Sequence, residues 1–151
     1  MAERKRAVSI QFGFQYAAKF LCLTNISGTS STSSSVLPGA YRTVVNIHNP
    51  NGRIAIIRTK IALTGPSEIS KFVPGRLKPD QATRVDCEQI ARDYGIKFIH
   101  GAEGFLVIES TLSLDVIAVY TAGQARGEVE SIDVEQVRER KLLGATPAVR
   151  S

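Results

Sequence analysis

The 151-residue chain has no tryptophan, two cysteines, two histidines and a single methionine, its first residue. Each scarcity excludes something. Metal ligands usually come in close-spaced pairs such as CxxC or HxH, and neither Cys22 with Cys87 nor His48 with His100 forms one. No GxSxG, Walker loop, GxGxxG or paired-carboxylate arrangement occurs, so neither a catalytic centre nor a cofactor is indicated. No window has the length and purity of a membrane span, and no membrane insertion is expected. The opening "MAERKRAVSIQFGFQYAAKFLCLTNI" is not read as a signal peptide, because Gln11, Gln15 and Lys19 interrupt its apolar region. On that reading the protein is cytoplasmic. Cys22 and Cys87 are then expected as reduced, buried thiols, with pairing as the alternative. Cys87, at a helix start in "VDCEQI", is the better candidate for a reactive thiol, which defines a thiol-enzyme reading.

What is present is β-pattern. A hydrophobic fraction of 43% and a charged fraction of 22% are those of one globular domain. Residues 8–16, "VSIQFGFQY", alternate with period two and place Phe12 and Phe14 on an aromatic-rich face, with a second strand expected from Ala18 to Asn25. Residues 27–35, "SGTSSTSSS", read as a flexible Ser-rich loop. "YRTVVNIHNPNGRIAIIRTKIAL" reads as a hairpin, Tyr41–His48 against Arg53–Leu63, turning at "NPNG". Residues 65–80 carry Gly65-Pro66, Pro74-Gly75 and Pro79 and read as a long irregular connection.

Ala82–Val85 is a short strand. "DCEQIARDYG" is a short helix with Asp86 as N-cap, Gln89 closing a capping box and Gly95 as the stop. A short extended piece is expected over Ile96–His100. Two strands, 104–110 and 114–122, join through "TLS", and a last strand over Ser131–Val137 precedes a loose arm, with a helix over Asp133–Leu143 capped by Asp133 as the alternative. The expected architecture is all-β: an antiparallel β-sandwich, immunoglobulin-like or jelly-roll-like, of about seven or eight strands with one short helix. Its parts are an N-terminal aromatic arm (1–17), the sandwich (18–137) and a loose C-terminal tail (138–151).

"TVVNIHNPN", "RLKPDQATRVDCEQI" and "GFLVIESTLSLDVIAVYTA" together resemble small uncharacterised bacterial β-sandwich proteins and, more distantly, the sensory rhodopsin transducer family. The resemblance covers a little over half the chain. It implies a cytoplasmic sandwich that works as a homo-oligomer and binds partners without catalysis. It carries over no functional residues, and the aromatic N-terminal strand, the Ser-rich loop and the long tail depart from its pattern.

Two features point to partners. Strands with apolar residues at both parities need cover on a second face. Ile54, Ile56, Leu106, Ile108, Ile117 and Val119 are the residues expected to supply self-association, with Phe12 and Phe14 as a docking or exchanged arm. The first expected partner is a second copy of the chain, then another protein. The alternative is a nucleic acid or anionic surface. Between Tyr41 and Pro79, Arg42, Arg53, Arg58, Lys60, Lys71, Arg76 and Lys78 face one acid, Glu68. Arg42, Arg53, Arg58 and Lys60 are the candidate anion-binding residues. The bland reading is that they lie on different faces and pair with Asp80, Asp86, Glu103, Glu109 or Asp115.

Overall fold

The computed structural model describes residues 9–25, 36–65, 68–96, 101–124 and 128–142. The Ser-rich stretch 27–35 and His100 lie outside the described residues, as does most of the extended piece expected over Ile96–His100. Nine strands and one helix run in the order β1 (Phe14–Asn25), β2 (Gly39–His48), β3 (Ala55–Leu63), β4 (Val73–Leu77), β5 (Ala82–Asp86), α1 (Cys87–Asp93), β6 (Gly101–Ser110), β7 (Asp115–Gly123), β8 (Val129–Gln136) and β9 (Glu139–Lys141). All pairings are antiparallel. The fold is all-β with one short helix, as expected from the strand pattern.

The hydrogen-bonded path β4-β3-β6-β1-β2-β7-β8 folds over on itself at the β1–β2 junction, where only Leu23–Asn25 pairs with Gly39–Tyr41. We call the half built from β4, β3, β6, β1 and β9 sheet I, and the half built from β5, β2, β7 and β8 sheet II. The core lies between them. Tyr16, Ala18, Phe20 and Cys22 of β1 and Ala55, Ile57 and Ile61 of β3 meet Val45 and Ile47 of β2 and Val116 and Ala118 of β7, all buried. Each fully buried large aliphatic contributes on the order of 1.5–3 kcal/mol gross, so a core of this size holds the layers together.

Several sequence expectations need correction. The segment "NPNG" is not a hairpin turn: β2 pairs with β1, β5 and β7, while β3 pairs with β4 and β6. The segment is an arch between the layers. Asn49, fully buried, donates through its amide nitrogen toward the carbonyls of Arg53, Leu77 and Lys78 at 2.8, 3.1 and 3.1 Å. A turn that splits its strands between sheets leaves backbone carbonyls inside, and this side chain satisfies them. Residues 8–16 and 18–25 do not form two strands, because β1 is continuous over twelve residues and pairs with β6 along Phe14–Leu23. The stretch 1–17 is thus not a separate arm over its described end.

The region 65–80 contains an edge strand, β4. Pro74 sits opposite Arg58 on a strand with no further neighbour among the described residues, where a missing N–H costs least. The tail is not loose at its start. β9 pairs Phe14–Tyr16 with Glu139–Lys141, and the backbone N–H of Leu142 donates to the Gly13 carbonyl at 2.8 Å.

The helix follows its signals. The Asp86 side chain accepts from the Gln89 backbone N–H, and the Gln89 side chain accepts from the Asp86 N–H, closing the capping box. Ile90 and Tyr94 turn inward and are buried. Cys87 is bonded to Cys22 in a disulfide, with Cα atoms 5.5 Å apart. This overturns the reduced-thiol expectation. The 65-residue separation concealed from the sequence that β1 and the start of α1 are neighbours. Both sulfurs are consumed, so the free Cys87 thiol that the thiol-enzyme reading needs is absent. Among the described residues no helix is long and apolar enough to cross a membrane.

Candidate functional site

Strand parity sends alternate residues to the outer face of each sheet, and the two outer faces differ in kind. On sheet I the outward row includes Ile56, Arg58 and Lys60 of β3 and Phe105, Val107 and Glu109 of β6. Arg58 lies opposite Glu109, and Lys60 opposite Val107. The Arg58 guanidinium donates from Nε and one terminal nitrogen to Glu109 Oε1 at 2.9 and 2.7 Å, and Glu109 is buried. The same guanidinium lies 4.2 Å from the centroids of both Phe12 and Phe72, held between the two rings. Lys60 lies 4.8 Å from the Phe72 centroid, and Lys19, paired with Glu103 at 3.0 Å, lies over Phe105. Cations, rings and carboxylates on this face largely satisfy one another.

Among the described residues the outer face of sheet II has no such cover. Register places Val44, Val119 and Val134 side by side across β2, β7 and β8, with Ile117 beside Asn46 and Gln136, and Ile132 beside Thr121. Ile132 and Val134 are 66% and 61% exposed, and every residue of β8 is exposed. Among the described residues β8 pairs only with β7, carries no proline, and so leaves one backbone edge open to them.

The expected self-association residues separate accordingly. Leu106 and Ile108 are fully buried core residues, and the second-face assignment for them is wrong. Both parities of β6 are apolar, so parity alone could not decide. What turns this strand is outward Glu109, which needs Arg58, and inward Gly104, where a Cβ would lie 2.2 Å from the Ala62 carbonyl oxygen. Ile54 is exposed at the arch and Ile56 is half-buried on sheet I. Ile117 and Val119 are half-buried on the apolar face of sheet II. Phe14 packs against the chain's own core and Phe12 on Arg58, so within one chain neither is a projecting arm. Sequence reading missed Ile132 and Val134; their strand had been recognised, and its alternation was the usable signal.

The candidate anion-binding residues do not converge. Arg58 and Lys60 share the sheet I face, Arg42 projects from β2 of sheet II opposite Thr121, and Arg53 is exposed in the arch. Arg58–Glu109 is an ion pair of the kind the bland reading anticipated, while Glu103 and Asp86 pair instead with Lys19 and Arg84, which lie outside that basic set.

One end of the sandwich gathers polar groups. His48, at the last position of β2, bonds Asp115 through Nδ1 at 2.9 Å and Asp80 through Nε2 at 2.8 Å. Asp80 reaches it from a turn in which its own φ is +60°, a left-handed conformation that aspartate tolerates better than most residues. The bonds to Asp115 and then Asp80 raise the His48 pKa above its usual value. Nearby, the Tyr16 hydroxyl donates to Glu139 at 2.6 Å and accepts from the Leu114 N–H at 2.7 Å, while the Ser113 hydroxyl also donates to Glu139. Burial, then the bond to Glu139, pushes the Tyr16 phenol up to about 12. The bonds from Ser113 and Tyr16 hold the Glu139 carboxyl below its usual range. These bonds pin β9 across the end of the core. None presents a free nucleophile beside a base, and among the described residues no group of three His, Cys, Asp or Glu side chains is placed to hold a metal ion.

The arrangement defines a class: an all-β, two-layered sandwich with one short helix. No family model and no curated protein matches the chain. Among solved structures a Thermotoga maritima protein, 1070, shares the fold, with a TM-score of 0.54 over 84% of this chain and 94% of that one. At 9% identity the likeness is one of fold alone.

Proposed function

We propose that the protein is a non-enzymatic, homo-oligomeric β-sandwich whose work is assembly or partner binding, and that copies meet through the outer face and open edge of sheet II. The observation that carries this is β8: eight consecutive exposed residues on an edge with no partner among the described residues, flanked on one face by the apolar row Val44–Val119–Val134. An edge of this kind is a template for another strand. A second copy fits it about a two-fold axis. Antiparallel β8–β8 pairing centred on Ile132 sets Asp133 against Ser131 and Glu135 against Val129 of the other copy, so no acid faces an acid. Centring on Asp133 would oppose two like charges, which is unfavourable. The resemblance to the transducer family implies the same kind of oligomeric, partner-binding role. In a cytoplasmic setting, the expected location, the Cys22–Cys87 disulfide would experience reducing conditions.

Size-exclusion chromatography with light scattering tests the proposal. The expected result is a dimer or higher assembly that Val134→Glu dissociates. A clean wild-type monomer at micromolar concentration sinks it.

A second reading is favoured by one observation. Phe12, Phe72 and Phe105 interleave with Arg58, Lys60 and Lys19 on sheet I, the composition of a single-strand nucleic-acid platform. The rings are already stacked by the protein's own cations and Glu109 neutralises Arg58, so this reading ranks second. Salt-independent elution from heparin eliminates it.

A further inference from the structure

The two sheets are stitched where the end of β1 meets the start of β2, and β5 runs on along that same edge of β2. Among the described residues β4 pairs only with β3 and β5 only with β2, which leaves a gap between these two edge strands. Helix α1 leads across this gap from β5, and Tyr94 just beyond it bonds Thr59 of β3 at 2.7 Å. Between the two free edges lies a cleft of about 260 Å³. Its floor is core: Ile47, Ile57, Leu77 and Val85.

Apart from the Thr59 and Tyr94 hydroxyls, which bond each other, the polar groups lie on the walls and mouth. Gln81, Thr83 and Gln89 line the sides, and Arg76 of β4 and Arg84 of β5 line the two lips from the outward parity of their strands, opposite Ile56 and Asn46. The lining acid, Asp93, is engaged by Arg92 at 2.8 and 3.2 Å, which removes most of its repulsion for an incoming anion. Only a loose 3.8 Å contact to Asp86 occupies Arg84.

An apolar floor under two arginine lips selects a particular chemistry. The floor wants an aliphatic body, and the guanidinium forks want a carboxylate. The volume sits near the lower end of small-molecule pockets, which suits one chain of modest length better than a nucleotide or an oligosaccharide. We propose that the cleft between β4, β5 and α1 is a binding site for small amphipathic carboxylates, with the aliphatic body on Ile57, Leu77 and Val85 and the head between Arg76 and Arg84. This site is on a different flank from β8 and does not depend on self-association.

Sodium octanoate is the probe, with octylamine as its cationic counterpart, and calorimetry plus thermal melting as readouts. Octanoate should bind saturably and raise the melting temperature, and octylamine should do neither. The double change R76Q/R84Q should weaken octanoate about tenfold or more, the loss expected for charge-assisted contacts. Thr83→Trp, at an exposed position on the wall, should fill the cleft and abolish binding. Its fold is checked by its melting transition, and R76Q/R84Q still decides the matter if that variant does not fold. Equal binding of octylamine, the absence of saturable octanoate binding, or undiminished binding by R76Q/R84Q or by folded Thr83→Trp overturns the proposal. So does binding lost in Val134→Glu but kept in Thr83→Trp, which would place the ligand on the apolar face of sheet II.

Discussion

The outer faces of sheets I and II start from similar raw material, strands whose outward positions are partly apolar, and resolve it differently. Sheet I covers itself. Phe12 arrives from the start of the chain and Phe72 from the approach to β4, and they close on Arg58, whose charge a buried Glu109 balances. Sheet II has no segment among the described residues laid across Val44, Val119 and Val134. A face that supplies its own cover contributes to the stability of one chain, whereas a face left bare contributes when a second molecule arrives. Substitutions on the two faces should therefore register in different measurements.

The largest effect should come from what fixes the two faces relative to each other. The Cys22–Cys87 bond ties β1 of sheet I to the helix that follows β5 of sheet II. Closing a loop of that separation stabilises by roughly 4 kcal/mol in the chain-entropy account. Replacing both cysteines by alanine should lower the urea midpoint accordingly, with m raised because the unfolded chain without the crosslink exposes more surface. A change below about 1 kcal/mol would mean that the sheets are held without it.

Arg58→Ala comes next. It strands the buried Glu109 carboxylate and empties the slot between Phe12 and Phe72. Breaking a buried pair costs about 3–5 kcal/mol, and because Arg58 is 37% exposed the lower end is expected. The loss should appear in chemical denaturation, with the elution volume of the folded fraction unchanged.

Val134→Glu on sheet II should do the reverse, dissociating the assembly while changing subunit stability by no more than about 0.5 kcal/mol. Ile56→Glu on sheet I should leave association intact. If Ile56→Glu dissociates the protein and Val134→Glu does not, the two faces have been assigned the wrong way round. The register can be examined separately. With Cys22 and Cys87 bonded together, Ile132→Cys introduces a free thiol that should cross-link to its counterpart, whereas Asp133→Cys should not.

How much of this was legible in the sequence follows from the range of the forces involved. The α1 cap, set by residues three apart, read correctly from Asp86 and Gln89, and so did most strands, since alternation is local. What failed was pairing. "NPNG" carries the chemistry of a turn whether its strands pair or part, and only the tertiary partners of buried Asn49 decide which. β6 was ambiguous because Leu106 and Ile108 are as apolar as Phe105 and Val107, and its orientation depends on contacts with Ala62 and Arg58 from another strand. β4 was hidden because Pro74 and Gly75, breakers in a central strand, are acceptable at an edge. The apolar face of sheet II was half legible: Ile117 and Val119 were picked out from β7 and continue onto Ile132 and Val134 only once β8 lies beside it.

The smallest expected effect lies at the end of the sandwich, where both faces terminate and His48 links the turn at Asp80 to the start of β7. Its folded pKa is raised by the bonds to Asp115 and Asp80, so the charged form is favoured by folding. The stabilisation is therefore fully present below the unfolded value of about 6.5 and is lost as pH rises through the raised folded value. His48→Gln should narrow the stability gap between slightly acidic and slightly alkaline solution, with wild type and variant converging above the folded pKa. Because the ring is solvent-accessible, the gap should also shrink in high salt. Since His48 lies at the end of the sheet II face, two strands from β8, light scattering of His48→Gln across the same pH range should show the same assembly as wild type. A pH-dependent change of mass that the substitution abolishes would instead tie this end of the molecule to the sheet II interface.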